Sequence, residues 1–380
     1  MRWATTSLML AAALAASPAR AGVDWAAHWL VDATYSELRE NAPDNPGNRL
    51  GIPHWSAATF LRPELSLSLP RTHLVLRPRA QARWTRTDSG AGSQSAHDAE
   101  IFINEAHARV RLWSRGHLIA GREVMAWGPS YLLSPSNPFE ADNGRDDTSR
   151  ERPGQDFARL LWIPRQRLSV SAMAHLDDGR LDAAGDFDPG YLLKLDYTGD
   201  RWFASMLPWV QPADEPGDVR RDGLGYYLSA QAGEALLLYV EGMALRGDHR
   251  MLAGMTYTFL NAANIAFEFY RQNDGCMASL ASECPPVVGE NTALARRPLR
   301  QRDYLLLQLV DGDLLDNLNL SLRAVAGLND GSANLIALVD RDLGEWGNAY
   351  LIANLPVGGR GHEFGGLTRA NLRLGLRFYL

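Results

Sequence analysis

Asn371-Leu372-Arg373-Leu374-Gly375-Leu376-Arg377-Phe378-Tyr379-Leu380 ends the chain, and its reading decides the fold. In an extended strand successive side chains point to opposite faces. Leu372, Leu374, Leu376 and Phe378 therefore share one face, and Arg373 and Arg377 share the other. Such a strand wants an apolar medium on one side and water on the other. A closed transmembrane barrel supplies both, because its last strand pairs with its first and lipid covers the outside.

The same alternation recurs along the chain. Val23, Trp25, Ala27, Trp29, Val31, Ala33 and Tyr35 fall on one face, with Asp24, His28 and Asp32 on the other. Period-two segments follow at 61–69, 74–84 and 102–112, the last with its apolar set on even positions from Phe102, and continue to the end. They predict an all-β, antiparallel up-and-down barrel of about eighteen strands, each of roughly ten residues. The expected connections alternate long and short, with long ones near 36–58, 86–100, 128–155 and 273–301. Gly247-Asp248-His249 breaks the rule, because a tight turn stands where a long loop is due. Short periplasmic turns and longer external loops give this pattern. Trp84, Trp113, Trp127, Trp202, Trp209, Trp346, Tyr350 and Phe378 fall near strand ends, as aromatic girdles would;.

At the other end, Met1-Arg2, an apolar run from Leu8 to Ala16 and Ala19-Arg20-Ala21 read as a cleavable export signal;. Residues 1–21 are then a signal peptide, and 22–380 form one barrel domain in the outer membrane. No later segment has the ~20 apolar residues of a spanning helix. The net charge of −6 gives no reason to expect nucleic acid. Two cysteines, Cys276 and Cys284, share a polar loop, and in an exported chain that pairing predicts a disulfide;. No metal-ligand spacing, nucleotide motif or cofactor motif occurs, nor any linear catalytic signature;. His54, His97, His117 and His249 could sit on a barrel rim, but nothing groups them for catalysis, so no enzyme is expected.

The inner face is where chemistry concentrates. His73, Arg77, Arg79, Gln81 and Arg83 oppose the apolar set of the third strand. Glu105, His107, Arg109 and Arg111 do so on the fourth, and Arg373, Arg377 and Arg323 join from elsewhere. A lipid-facing arginine at the midplane costs ~2–4 kcal/mol, so these arginines are expected in the lumen. They select anions, or they pair with lumen acids such as Glu64 and Glu105; the sequence leaves both open. After them comes a proline-rich, non-alternating loop with Tyr131, Pro135, Pro138, Glu140, Asp142, Asp146 and Asp147. Folded inward within 128–155, its carboxylates would face Arg77, Arg79, Arg109 and Arg111 across a constriction, where opposed charges set up a transverse field.

Gly121-Arg122-Glu123-Val124-Met125-Ala126-Trp127-Gly128-Pro129 and Leu133-Ser134-Pro135-Ser136-Asn137-Pro138 resemble a motif of Gram-negative outer-membrane barrels, namely the capsule-assembly, alginate-export and porin-like barrels. The resemblance centres on Gly121, Arg122, Trp127, Gly128, Pro135, Asn137 and Pro138. It implies an eighteen-strand barrel that handles polysaccharide by export or at the cell surface. Two functions follow as expectations. One is a pore for anionic solutes or acidic polysaccharide, with outer-membrane lipid as its surroundings. The other is a closed barrel that anchors capsule or exopolysaccharide through its outer loops.

Overall fold

The computed structural model describes residues 22–39, 42, 45–89, 92–139, 141, 150–179, 189–211, 221–280, 283–284, 299–315 and 317–380. The expected signal peptide and the acids Glu140, Asp142, Asp146 and Asp147 lie outside the described residues. The strands are β1 (Gly22–Leu38), β2 (Trp55–Ser68), β3 (Thr72–Ser89), β4 (Gly92–Trp113), β5 (Gly116–Glu123) and β6 (Gln155–Arg165). Then come β7 (Leu168–Asp177), β8 (Gly190–Thr198), β9 (Trp202–Gln211), β10 (Arg221–Ala232), β11 (Leu236–Leu245) and β12 (Asp248–Thr258). The last six are β13 (Asn264–Gln272), β14 (Asp303–Leu315), β15 (Leu318–Gly327), β16 (Ala333–Asp342), β17 (Gly347–Val357) and β18 (Thr368–Tyr379).

Each strand pairs antiparallel with its sequence neighbours, and β18 pairs with β1, so the 18-stranded sheet closes. The seam runs from His28 opposite Tyr379 to Leu38 opposite Thr368, and it extends to Leu380, whose N–H donates to Ala27 O at 2.9 Å. Closure pairs the last strand with the first, so none of the described strands is a free edge strand, which is what a sheet in lipid requires;. Alternation at the seam follows the sequence. Trp25, Trp29, Val31 and Tyr35 are exposed on the outer face, while Leu30, Asp32, Thr34 and Ser36 are buried inside. Arg373 of β18 turns inward and donates to Thr34 Oγ1 at 3.3 Å.

Two inward tyrosines lie across glycines of the next strand, Tyr350 on Gly375 and Tyr239 on Gly254, and Tyr226 lies across Gly242 on the outer face. A Cβ on Gly375 would stand 2.3 Å from the Tyr350 ring, so only glycine leaves room for this packing;.

Three expectations are corrected. The loop expected near 86–100 is strand, because β3 runs to Ser89 and β4 starts at Gly92. On β4, Ile101 (84 % exposed) and Ile103 (42 %) take the outer face, not Phe102. The register shifts between Arg77/Pro78 and their partners Glu105/Ile103, which leaves Asn104 extra. A bulge of this kind sets two residues against one and flips the parity. From Glu105 onward the odd positions face inward, as the sequence predicted. Trp209 and Tyr350, expected in girdles, are buried on the inner face, and Trp127 packs against the interior cluster with Trp209.

Candidate functional site

The chain between β5 and β6 does not stay at the rim. Its limb 124–139 reaches β11 and β13, six and eight strands away, and only a path through the barrel interior makes that contact. Two wall carboxylates hold it. Glu241 of β11 accepts from the hydroxyls of Ser130, Ser134 and Ser136, the last two at 2.7 Å, and from Ser136 N–H at 3.3 Å. Glu268 of β13 accepts from the N–H groups of Tyr131 (2.6 Å) and Leu132 (2.8 Å) and from the Tyr239 hydroxyl (2.6 Å). Both carboxylates are fully buried, and charge-assisted hydrogen bonds are what make a buried acid tolerable;.

The motif residues supply the fit. Gly128 has φ +87°, and a Cβ there would lie 2.4 Å from both Glu241 oxygens. Ser136 O sits so close to Gly225 that a Cβ on that glycine would meet it at 2.5 Å. Asn137 Oδ1 caps Phe139 N–H at 3.1 Å, and Pro138 is fully buried. Met125 and Phe139 pack on Phe157, Met173, Leu192 and Trp209 of the wall. Leu133, with Tyr131 and Leu132 beside it, packs on Tyr239, Leu252 and Tyr304. The limb 124–139 therefore packs on the side of the lumen bounded by β6 to β15.

Arginines line the opposite wall. Pro63 and Pro78 face each other across β2 and β3, since Leu61 pairs with Ala80 and Leu65 with Leu76. Neither proline has an N–H to give, so the ladder is interrupted there. The carbonyls of Pro63 (2.8 Å) and Pro78 (2.9 Å) instead accept from Arg79 Nη1. Arg79 Nε donates to both oxygens of Glu151, at 2.8 and 2.7 Å, and Nη2 donates to the same group. Arg62 Nε lies 3.6 Å from Glu151. Arg77 pairs with Glu105 and stands 3.4 Å from Glu64. Glu151 arrives on the returning limb of the folded loop, and the bulge residue Asn104 anchors that limb. Its amide donates to Arg152 O at 3.1 Å and its Oδ1 accepts from Gly154 N–H at 3.2 Å.

The expected arginine patch is thus divided. Arg77 and Arg79 sit mid-wall with carboxylate partners. Arg109 and Arg111 are exposed near the short-turn end and, among the described residues, have no carboxylate within ion-pair distance. Arg83 stands opposite Asp98 towards the long-loop end. Arg373 lines the seam, and Arg377 lies opposite Leu30 on the same face. Arg122 of the motif forms a two-point pair with Asp156 at 2.8 and 3.0 Å, joining β5 to β6. Gly121 has φ +124°, with Ala106 O where a Cβ would go.

At the long-loop end, Glu363 accepts from Arg300 N–H (2.7 Å) and the Tyr304 hydroxyl (2.5 Å). Its own N–H donates to Asp330 Oδ2 at 2.7 Å, so three connections meet. Cys276 and Cys284 are bonded, with Cα atoms 5.6 Å apart. Among the described residues no group of three or more His, Cys, Asp or Glu side chains is placed to hold a metal. Sequence reasoning missed Glu241, Glu268, Glu151, the facing prolines and Asn104. A lone acid on the inner face of β11 and of β13 was the available signal for the first two.

No protein-family model and no curated protein matches the sequence. Solved structures do match in fold. Pseudomonas aeruginosa OccK7 (OpdD) aligns with TM-score 0.59 at 11% identity, covering 94% of this chain and 98% of that one. Pseudomonas aeruginosa OccK5 (OpdH) gives 0.57 at 12%, covering 94% and 98%. Acinetobacter baumannii OccAB2 gives 0.54 at 10%, covering 94% and 98%. The chain has the fold of these outer-membrane porins, a closed antiparallel barrel of 18 strands.

Proposed function

We propose that the chain is an outer-membrane pore for small anionic solutes, narrowed by its own loop, and a conduit with no catalytic step. One observation carries this reading. The described limb 124–139 is clasped to β11 and β13, across the barrel from the arginine-bearing wall of β18 and β1 to β4, and it is along that wall that the passage is proposed to run. A barrel of this strand number leaves an aqueous interior unless it is plugged, and the described limb 124–139 packs towards the β6-to-β15 side;. Charged groups facing a narrow passage order ions that pass it. Exposed Arg109 and Arg111 at the short-turn mouth, with Arg77 and Arg79 above them, favour anions over cations.

A second reading has its own support. The joint of Glu363, Tyr304, Arg300 and Asp330, with the Cys276–Cys284 bond nearby, stiffens the long-loop end and would suit the holding of an acidic polysaccharide there. Conductance separates the two. Refolded residues 22–380 in a planar bilayer under a potassium chloride gradient should conduct with a reversal potential on the anion side. A folded barrel that stays silent would overturn the pore and leave surface binding.

A further inference from the structure

Arg79 is held as if it were waiting for a carboxylate, and one from its own chain already fills the place. Its guanidinium is fixed to the wall through Pro63 O and Pro78 O, and its remaining edge grips both oxygens of Glu151. This side-on, two-oxygen grip is how arginine binds a free carboxylate. Glu151 is not part of the wall, because it belongs to the folded loop and reaches the arginines beside the Asn104 anchor. Side-chain exposure rises from 4 % at Arg79 through 16 % at Arg62 to 25 % at Glu151. The carboxylate therefore lies between the two arginines and the lumen water, on the side from which a solute arrives.

We propose that Glu151 is a tethered competitor. A permeating carboxylate crosses the constriction by displacing the Glu151 carboxylate from Arg79 and Arg62, and Glu151 returns as the solute leaves. The inference rests on the anion-pore reading above. An exchange of one carboxylate for another keeps the charge of the site constant, so neither arginine is stranded without a counter-charge in a confined space. A tethered ligand acts at a high effective concentration. It thus weakens the hold on any free carboxylate and speeds its release, which a conducting site needs.

The test uses acetate as the probe. Single-channel conductance of the refolded chain is measured in potassium acetate over a wide concentration range, and the reversal potential in a potassium chloride gradient is measured beside it. The wild-type conductance should saturate only at high acetate. Glu151→Gln should bring half-saturation down roughly tenfold and lower the maximal conductance, as expected when a competing tethered charge is removed. Glu151→Asp, one methylene shorter, should fall between them, and Arg79→Gln should abolish saturation. Should Glu151→Gln fail to fold, Glu151→Asp carries the test with the same direction of shift. Unchanged half-saturation in an anion-selective channel would overturn the inference and leave the pore standing. So would equal gains in potassium and acetate conductance, which mean only a loosened loop. A wild-type channel that is cation-selective, or a folded barrel that is silent, would overturn the pore reading itself.

Discussion

Pro63 stands opposite Pro78 across β2 and β3, and the carbonyls they free hold the guanidinium of Arg79. A proline in a closed sheet normally weakens it, since it brings no donor to the ladder. Two at the same level open a gap that a side chain can fill, and an arginine with five fixed N–H groups suits it. Replacing one proline with alanine should restore a backbone donor at this level and compete for the neighbouring carbonyl. We expect Pro78→Ala to leave the barrel folded while loosening Arg79, seen as faster exchange of current levels in single-channel records. Identical current noise would show that the prolines do not position the arginine.

The clasp on Glu241 carries the second prediction. Glu241→Ala removes the acceptor of three serine hydroxyls and one N–H at once. Each hydrogen bond to a charged group contributes roughly 1.5–3 kcal/mol, and the donors are left buried. The limb 124–139 should leave the wall while the strand ladder persists. Limited proteolysis should then cut near Tyr131, and conductance should rise; resistance equal to wild type would place the holding force in the apolar contacts alone.

Gly128 gives a sharper version of the same idea. Gly128→Ala forces a side chain into φ +87° and against the Glu241 carboxylate. The backbone strain alone is about 1–2 kcal/mol, before any clash is counted. Conductance should move towards that of Glu241→Ala without removal of any hydrogen-bonding group. Gly247→Ala has a positive φ of +84° but open space, so it serves as the control for strain without contact.

Much of this was legible in residues 371–380 and their like, because alternation along a strand is a local property. The inward loop was legible from its prolines and from its lack of alternation. The Asn104 bulge was not, since Phe102 extends the even apolar run and hides the switch of parity from Ile101 and Ile103 to Ala106, Ala108 and Val110. Glu241 and Glu268 were missed for another reason. A single acid on an inward face reads as a lumen charge, and its partners on the loop lie more than 100 residues away in the chain. Glu151 was hidden among a run of loop charges, where nothing local marks the one that meets Arg79.

The joint at the long-loop end should respond to pH. Burial pushes the Glu363 carboxyl above the ordinary carboxylate range; the Tyr304 hydroxyl and the Arg300 N–H pull it down, and nearby Asp330 pushes it up. The folded joint therefore binds a proton more readily than the opened one. Its stability is fully present below the ordinary carboxylate value and falls as pH rises through the raised one. Amide exchange at 300–304 and 330–332 should be slower at pH 4 than at pH 7, after correction for intrinsic rates. Glu363→Gln should remove the difference; persistence of the difference in that variant would assign it to another group.

The divided arginine wall makes the last prediction asymmetric. Arg77 and Arg79 each have carboxylate partners, whereas Arg109 and Arg111, roughly 13 Å or more along the wall by strand rise, have none among the described residues;. Arg77→Gln with Arg79→Gln leaves Glu64 and Glu105 without their counter-charges at the narrow level and Glu151 with Arg62 alone. The reversal potential should cross to the cation side, because unpaired acids then face the passage. Arg109→Gln with Arg111→Gln removes two exposed charges at the mouth, where salt screens them within a Debye length of about 10 Å at 0.1 M. That pair should only weaken anion preference, and more so at low salt. Equal shifts from the two double variants would mean that the net lumen charge sets selectivity, with no special part for the level where the loop meets the wall.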